Sequence, residues 1–238
     1  MYQFHLKYVT ISIFTFYQKN KMDFCTFKSY KLKLMTGLFD AAIDYILEDE
    51  RVILKPLATT HLDALLPYAI NEPDTWTYSL VSAAGKDGMI NYINAALDGK
   101  ATGKEYPFIV YDKLTNSYAG CTRFYDIQVQ NKTLQLGYTW YSEKFRGTGL
   151  NKHCKFLLLN LAFENLNIER VEFRADARNQ RSVAAMKSIG CTVDGILRSN
   201  LPSPDGGRRD SIILSILKDE WYSTVKQHLA SKLKIDSE

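Results

Sequence analysis

The residues best suited to chemistry lie in Arg146-Gly-Thr-Gly-Leu-Asn151. Glycines let a main chain approach a ligand where a side chain would block it. A helix follows at once, and the amides that open a helix offer free N–H groups at the positive end of its dipole. Together these features suit a phosphate-bearing ligand. The stretch is not a Walker loop, because no Gly-Lys-Ser/Thr follows, and it lacks the third glycine of a dinucleotide fingerprint. Other candidates weigh less. Asp126 and Glu143 read as solvated carboxylates. His153 reads as solvated at the start of a helix, and Cys154 as a core thiol on that helix's apolar stripe. Arg208 and Arg209 follow a turn and read as solvated charge.

The elements around the loop are legible from periodicity. Leu134–Tyr141 alternates as a strand, with Leu134, Leu136, Tyr138 and Trp140 expected on one face. Leu150, Cys154, Leu157, Leu158 and Leu161 recur at helical spacing, to about Asn165. Upstream, Leu38–Ile46 suits a short helix and Arg51–Pro56 a strand. Thr60 is the expected N-cap of a helix over His61–Ile70, with Pro67 a kink inside it. Asn71–Gly85 reads as a loop and Asp87–Leu97 as a helix stopped at Gly99. Tyr106–Tyr111 and Tyr118–Tyr125 flank a turn. Downstream, Val171–Asp176 alternates as a strand. Asn179 caps a helix over Gln180–Ile189, and Gly190 stops it. Thr192–Leu197 and Ser211–Leu217 are strands joined across Pro204-Asp-Gly-Gly207. Asp219–Leu233 is helical. This order builds an α/β sandwich around one mixed sheet.

Bulk properties narrow the function classes. The chain has 238 residues, 46% of them hydrophobic, enough for one ordinary domain. Its net charge of +4 misleads, because residues 1–34 alone carry six lysines and one aspartate. The remainder is near neutral and carries no nucleic-acid footprint. Residues 1–34 therefore read as an appendage, with an upstream translation start as one origin, before a single domain over 35–238. No apolar run approaches the roughly 20 residues of a membrane span. Cys25, Cys121, Cys154 and Cys191 lack metal-ligand spacing and read as reduced thiols of a cytoplasmic protein.

Four pieces resemble the GNAT superfamily of acetyl-CoA-dependent N-acetyltransferases, and its RimJ/RimL-like branch most closely. They are Leu136-Gly-Tyr-Thr-Trp140, Phe145-Arg-Gly-Thr-Gly149, Ala162–Glu172, and Asn179-Gln-Arg-Ser182 followed by Ser188-Ile-Gly190. All four stand in order at family spacing between about Arg51 and Trp221. The resemblance implies an α/β GNAT fold. Its mixed, mostly antiparallel sheet carries helices on both faces and a V-shaped splay between the 134–141 and 171–176 strands. The family's phosphate-loop slots read Arg146, Gly149 and Asn151, the last a departure from Gly or Ala.

The resemblance further implies that acetyl-CoA is held by Arg146, Gly147, Thr148, Gly149, Leu150 and Asn151 at its pyrophosphate. The strand end at Trp140 and Tyr141 would take the pantetheine, which adds to the sheet like a missing strand. A backbone N–H near Trp140 would face the reacting carbonyl. Asn179 and Ser182 would line the cofactor arm, with Ser182 bonding or protonating the leaving sulfur. The capping reading of both stands beside this one. Trp76 and Tyr78 would lie near the acceptor, lining its pocket or covering the core. Many relatives carry Glu where this chain has Gln135, which cannot act as a base. An α-amine, with a pKa near about 8, needs little help, whereas a lysine amine near about 10.4 needs more. The implied reaction is direct acetyl transfer to a primary amine in a ternary complex, a protein N-terminus being one acceptor. The alternatives are a small-molecule amine or a non-catalytic acyl-CoA-binding module. No nucleic-acid or membrane partner is expected, and the chain is read as a monomer or homodimer.

Overall fold

The computed structural model describes residues 39–203 and 206–233; the expected appendage over 1–34 lies outside them. Eight strands form one sheet: β1 (Leu47–Glu48), β2 (Val52–Pro56), β3 (Tyr106–Asp112), β4 (Ser117–Gln128), β5 (Thr133–Tyr141), β6 (Arg170–Asp176), β7 (Thr192–Pro202) and β8 (Arg208–Leu217). Their spatial order is β1-β2-β3-β4-β5-β6-β8-β7. Every neighbouring pair is antiparallel except β5 with β6. The interior strand β3 is apolar on both faces, as a strand covered from both sides must be.

Helices α1 (Leu62–Asn71) and α2 (Gly85–Ala101) cover one face through Leu65, Ala69, Met89, Ile93 and Ala96. The other face carries α3 (Leu150–Asn160, ending in a π turn over Leu161–Asn165), α4 (Gln180–Ser188) and the C-terminal helix α5. Helix α5 runs Lys218–Glu220, a π turn over Trp221–Val225, and Lys226–Leu233. Trp221 is fully buried, against Phe156 and Phe163.

Several local expectations are corrected. Residues 39–46 form no helix, because the segment is drawn into the core: Tyr45 N–H donates to Tyr106 Oη, which donates to the Ile43 carbonyl. Thr60 caps nothing; a 3-10 turn over Thr59–His61 precedes α1, and His61 Nδ1 accepts the Ala58 N–H. Helix α2 begins earlier than expected and runs through Gly99, where any side chain would strike Glu105. Part of the 71–85 loop is a 3-10 turn, Pro73–Trp76. Strands β7 and β8 extend further along their hairpin than alternation suggested.

The largest correction concerns β5. Cys121 pairs with Trp140 but Arg123 with Gly137, so Tyr138 and Thr139 together oppose Thr122. That extra residue is a β-bulge, and Tyr138 sits at φ +47° to make it. A one-residue slip reverses sidedness. Leu134 and Leu136 therefore pack toward α3, whereas Trp140 packs toward α1 and α2. The four residues do not share a face.

Candidate active site

Strands β5 and β6 pair over only three positions, Thr133–Gln135 with Arg170–Glu172. Beyond Glu172, β6 stays bonded to β8 as far as Asp176, and β5 stays bonded to β4 as far as Tyr141. The two strands part, which leaves the inner edge of β5 without a neighbour along most of its length. This is the V-shaped splay.

The loop after β5 opens toward that edge. A 3-10 turn over Glu143–Phe145 leads into Gly147 (φ +74°) and Gly149 (φ +89°), both in the left-handed region. Thr148 Oγ1 donates to the Phe145 carbonyl and ties the loop down (2.8 Å). The amides of residues 147–151 have no acceptor among the described residues, and the first such bond is Lys152 N–H to the Gly149 carbonyl. Five consecutive free N–H groups at the start of α3 form a cradle for an anion. Asn151 does not obstruct it, since its Oδ1 accepts the Tyr141 hydroxyl (3.2 Å).

The Arg146 side chain serves the loop's structure. Its Nε donates to the Tyr141 carbonyl (3.0 Å) and Nη2 to Thr75 Oγ1 (2.7 Å). Partial burial, then the nearby Arg181 cation, hold its pKa below the usual guanidinium range. Two cations, Arg146 and Arg181, thus lie close together beside the cradle, with the Glu143 and Glu72 carboxylates acting on Arg146 in the opposite sense.

Across the gap, Asn179 Oδ1 accepts the Ser182 N–H (3.0 Å) and caps α4. The capping role is therefore real. The Ser182 hydroxyl makes no hydrogen bond with a described residue and is left available. Trp140 is buried against Trp76 and Tyr92 with ring centroids 5.2 and 6.3 Å away. Gly120 faces the Trp140 carbonyl so closely that any side chain there would collide with it.

On the α1/α2 side, a recess of about 400 Å³ lies between the 73–82 loop and the end of β7. Trp76, Ser79, Pro202 and Ser203 are among its walls. Trp76 lines it while also packing in the core. Tyr78 remains more than a third exposed.

A match in sequence decides what this arrangement belongs to. The family profile for the acetyltransferase (GNAT) domain matches residues 51–192. The chain belongs to the GNAT acetyltransferase family. It is 30% identical over 113 residues to the "Putative ribosomal N-acetyltransferase YdaF" of Bacillus subtilis, which covers 48% of this chain and 59% of that protein. The chain thus spans less than two thirds of that relative. A GCN5-related N-acetyltransferase from Brucella melitensis shares the fold at 23% identity and a TM-score of 0.71, over 78% of this chain and 84% of that one. Mycobacterium smegmatis RimJ, solved with CoA-disulfide, shares it at 17% identity and a TM-score of 0.65, over 76% and 88%.

Within this GNAT acetyltransferase, the remaining candidates fall into place. Gln135 is buried, and its Nε2 donates to Asp126 Oδ2 (2.8 Å). Asp126 is exposed, as expected, at a second bulge with φ +46°. Glu143 is exposed and contacts Arg146. Cys154 is fully buried, and burial pushes its thiol up to about 12. His153 is not solvated: its Nδ1 lies 2.8 Å from the buried Asp49 carboxylate. Arg209 is not solvated either. It is 5% exposed, and its Nη1 reaches the Tyr78 carbonyl (3.3 Å). Arg208 is exposed, as expected.

Two groups escaped sequence reasoning. One is the Glu72 carboxylate, which bonds Ser142 and the amide of Glu143. The other is Lys155, buried on α3. Its only sequence signal is a lone cation inside the otherwise uncharged run Cys154–Leu159.

Proposed function

We propose that this acetyltransferase binds acetyl-CoA in the splay and moves the acetyl group to the α-amine of a protein N-terminus by direct attack in a ternary complex. The observation that carries this reading is the row of free amides at Gly147–Asn151, just past the end of the strand whose inner edge is unpaired beyond Gln135. Those amides would hold the diphosphate, and the bare edge of β5 would hydrogen-bond the amides of the pantetheine arm. When bound, acetyl-CoA supplies an activated thioester. A backbone N–H near Trp140 would steady the carbonyl oxygen, a contact worth roughly 3–4 kcal/mol in other enzymes. The Ser182 hydroxyl would donate to the sulfur.

The amine would enter through the recess beside Trp76 and Ser203. Gln135 is an amide and cannot serve as the base, and its hydrogen bond holds Asp126 at the surface bulge. That favours an acceptor already partly neutral near pH 7, an α-amine rather than a lysine. The likeness to the Bacillus subtilis protein supports a ribosomal-protein acceptor. The test is thiol release from acetyl-CoA against a panel of N-terminal peptides, lysine peptides and small amines. Faster turnover on free N-termini is expected; preference for small amines would overturn the acceptor assignment.

A further inference from the structure

Lys155 is 5% exposed, yet no carboxylate pairs with it among the described residues. Buried cations are ordinarily paired, because an isolated charge is expensive to remove from water. The Lys155 ammonium has three hydrogens to donate. One goes to Thr139 Oγ1 at 2.8 Å, and a second reaches Thr122 Oγ1 only at 3.5 Å. Both acceptors are neutral hydroxyls, already bonded to each other at 2.8 Å.

The position of this charge is specific. Thr139 is the second residue of the β5 bulge, and the bulge is what turns its hydroxyl toward α3. Phe173, 5.9 Å from the Lys155 Nζ at its ring centroid, is the first β6 residue past the last bonded pair. The ammonium thus lies under the opening of the splay, reaching toward both of the parting strands.

We propose that Lys155 supplies the positive charge that stabilises the leaving sulfur, by favouring the thiolate of coenzyme A in the splay. The proposal rests on the acetyl-CoA reading above. In the net transfer the amine nitrogen bonds the acetyl carbon and gives up one proton. The carbon–sulfur bond breaks with its electron pair on sulfur, and the thiol carries the proton away. A cation beneath the sulfur stabilises that electron pair as it arrives. The titratable groups facing Lys155 are the thiols of Cys154 on α3 and Cys191 just before β7, each pushed up to about 12 by burial and so uncharged. Burial lowers the lysine itself to about 8, which leaves it mostly protonated at neutral pH.

The experiment titrates the thiol of bound coenzyme A by the ultraviolet absorbance of its thiolate, in the full chain and in Lys155→Met. At neutral pH, where Lys155 is charged, the thiolate fraction of bound coenzyme A in the wild type should be about tenfold that of free coenzyme A, a lowering of the thiol's pKa by about one unit. In Lys155→Met that lowering should vanish, with little change in coenzyme A affinity at a pH where both thiols are protonated. The variant should melt no lower than the wild type at neutral pH, because an unpaired buried charge has been removed. An unshifted thiol in the wild type overturns the proposal without any variant, as does an equal lowering in both proteins. Failure of the wild type to bind coenzyme A removes the cofactor reading and this proposal together. Binding with an unmoved thiol rejects the lysine assignment alone.

Discussion

The Glu72 carboxylate accepts the Ser142 hydroxyl at 2.6 Å, and its second oxygen accepts the Glu143 N–H at 2.8 Å. Glu72 closes α1, and Ser142 follows the last residue of β5. One side chain therefore fastens the end of α1 to the loop that follows β5. Glu72→Ala leaves the buried Ser142 hydroxyl unpaired, which costs roughly 1–3 kcal/mol. Chemical denaturation should show that loss, and coenzyme A affinity should fall with it. Unchanged stability would mean that α1 and this loop are not coupled through this carboxylate.

Gly149→Val should weaken coenzyme A binding at least tenfold. No atom lies within 4 Å of where its Cβ would sit, so the penalty is not a clash with the protein. It comes from φ +89°, which a β-branched residue resists, and from a side chain intruding on the amide cradle. Calorimetric titration with coenzyme A measures it; unchanged affinity would reject the loop.

Asn179 and Ser182 should separate on mutation. Asn179→Ala removes the cap on α4 and should cost about 1 kcal/mol of stability, seen in denaturant midpoints. Ser182→Ala keeps that cap, because Ser182 contributes only its backbone N–H to it. It should leave stability unchanged and lower turnover more than affinity. An unaffected rate would remove the hydroxyl from catalysis.

Acid should loosen the attachment of the 40–50 segment to α3. Burial raises the Asp49 carboxyl, but the hydrogen bond to His153 and the amides of Val52 and Arg51 outweigh it, so the net pKa is lowered. A depressed carboxyl contributes stability that is present above its unfolded value near 3.8 and is lost as pH falls through the folded one. Asp49→Asn should therefore destabilise the protein at pH 7 and flatten the acid limb of its stability curve. Parallel acid limbs for wild type and variant would contradict this.

Much of the fold was legible in the sequence because it rests on local signals. Alternation marked the strands, apolar spacing marked α3, and Asn179 marked the start of α4. The glycines after β5 carried the resemblance to the family. Three kinds of feature stayed hidden, each for a physical reason. The bulge at Tyr138–Thr139 is a mismatch between two strands, so β5 read alone continues its alternation past it. The burial of Lys155 and His153 depends on what covers α3. An isolated helix would leave both outside its apolar stripe, but the sheet lies beneath Lys155 and the 40–50 segment lies over His153. Glu72 meets Ser142 across seventy positions, a distance over which sequence patterns carry no signal. Local chemistry thus wrote the elements and the loop that marks the family. Tertiary packing alone decided which charges left water, and where the two strands part.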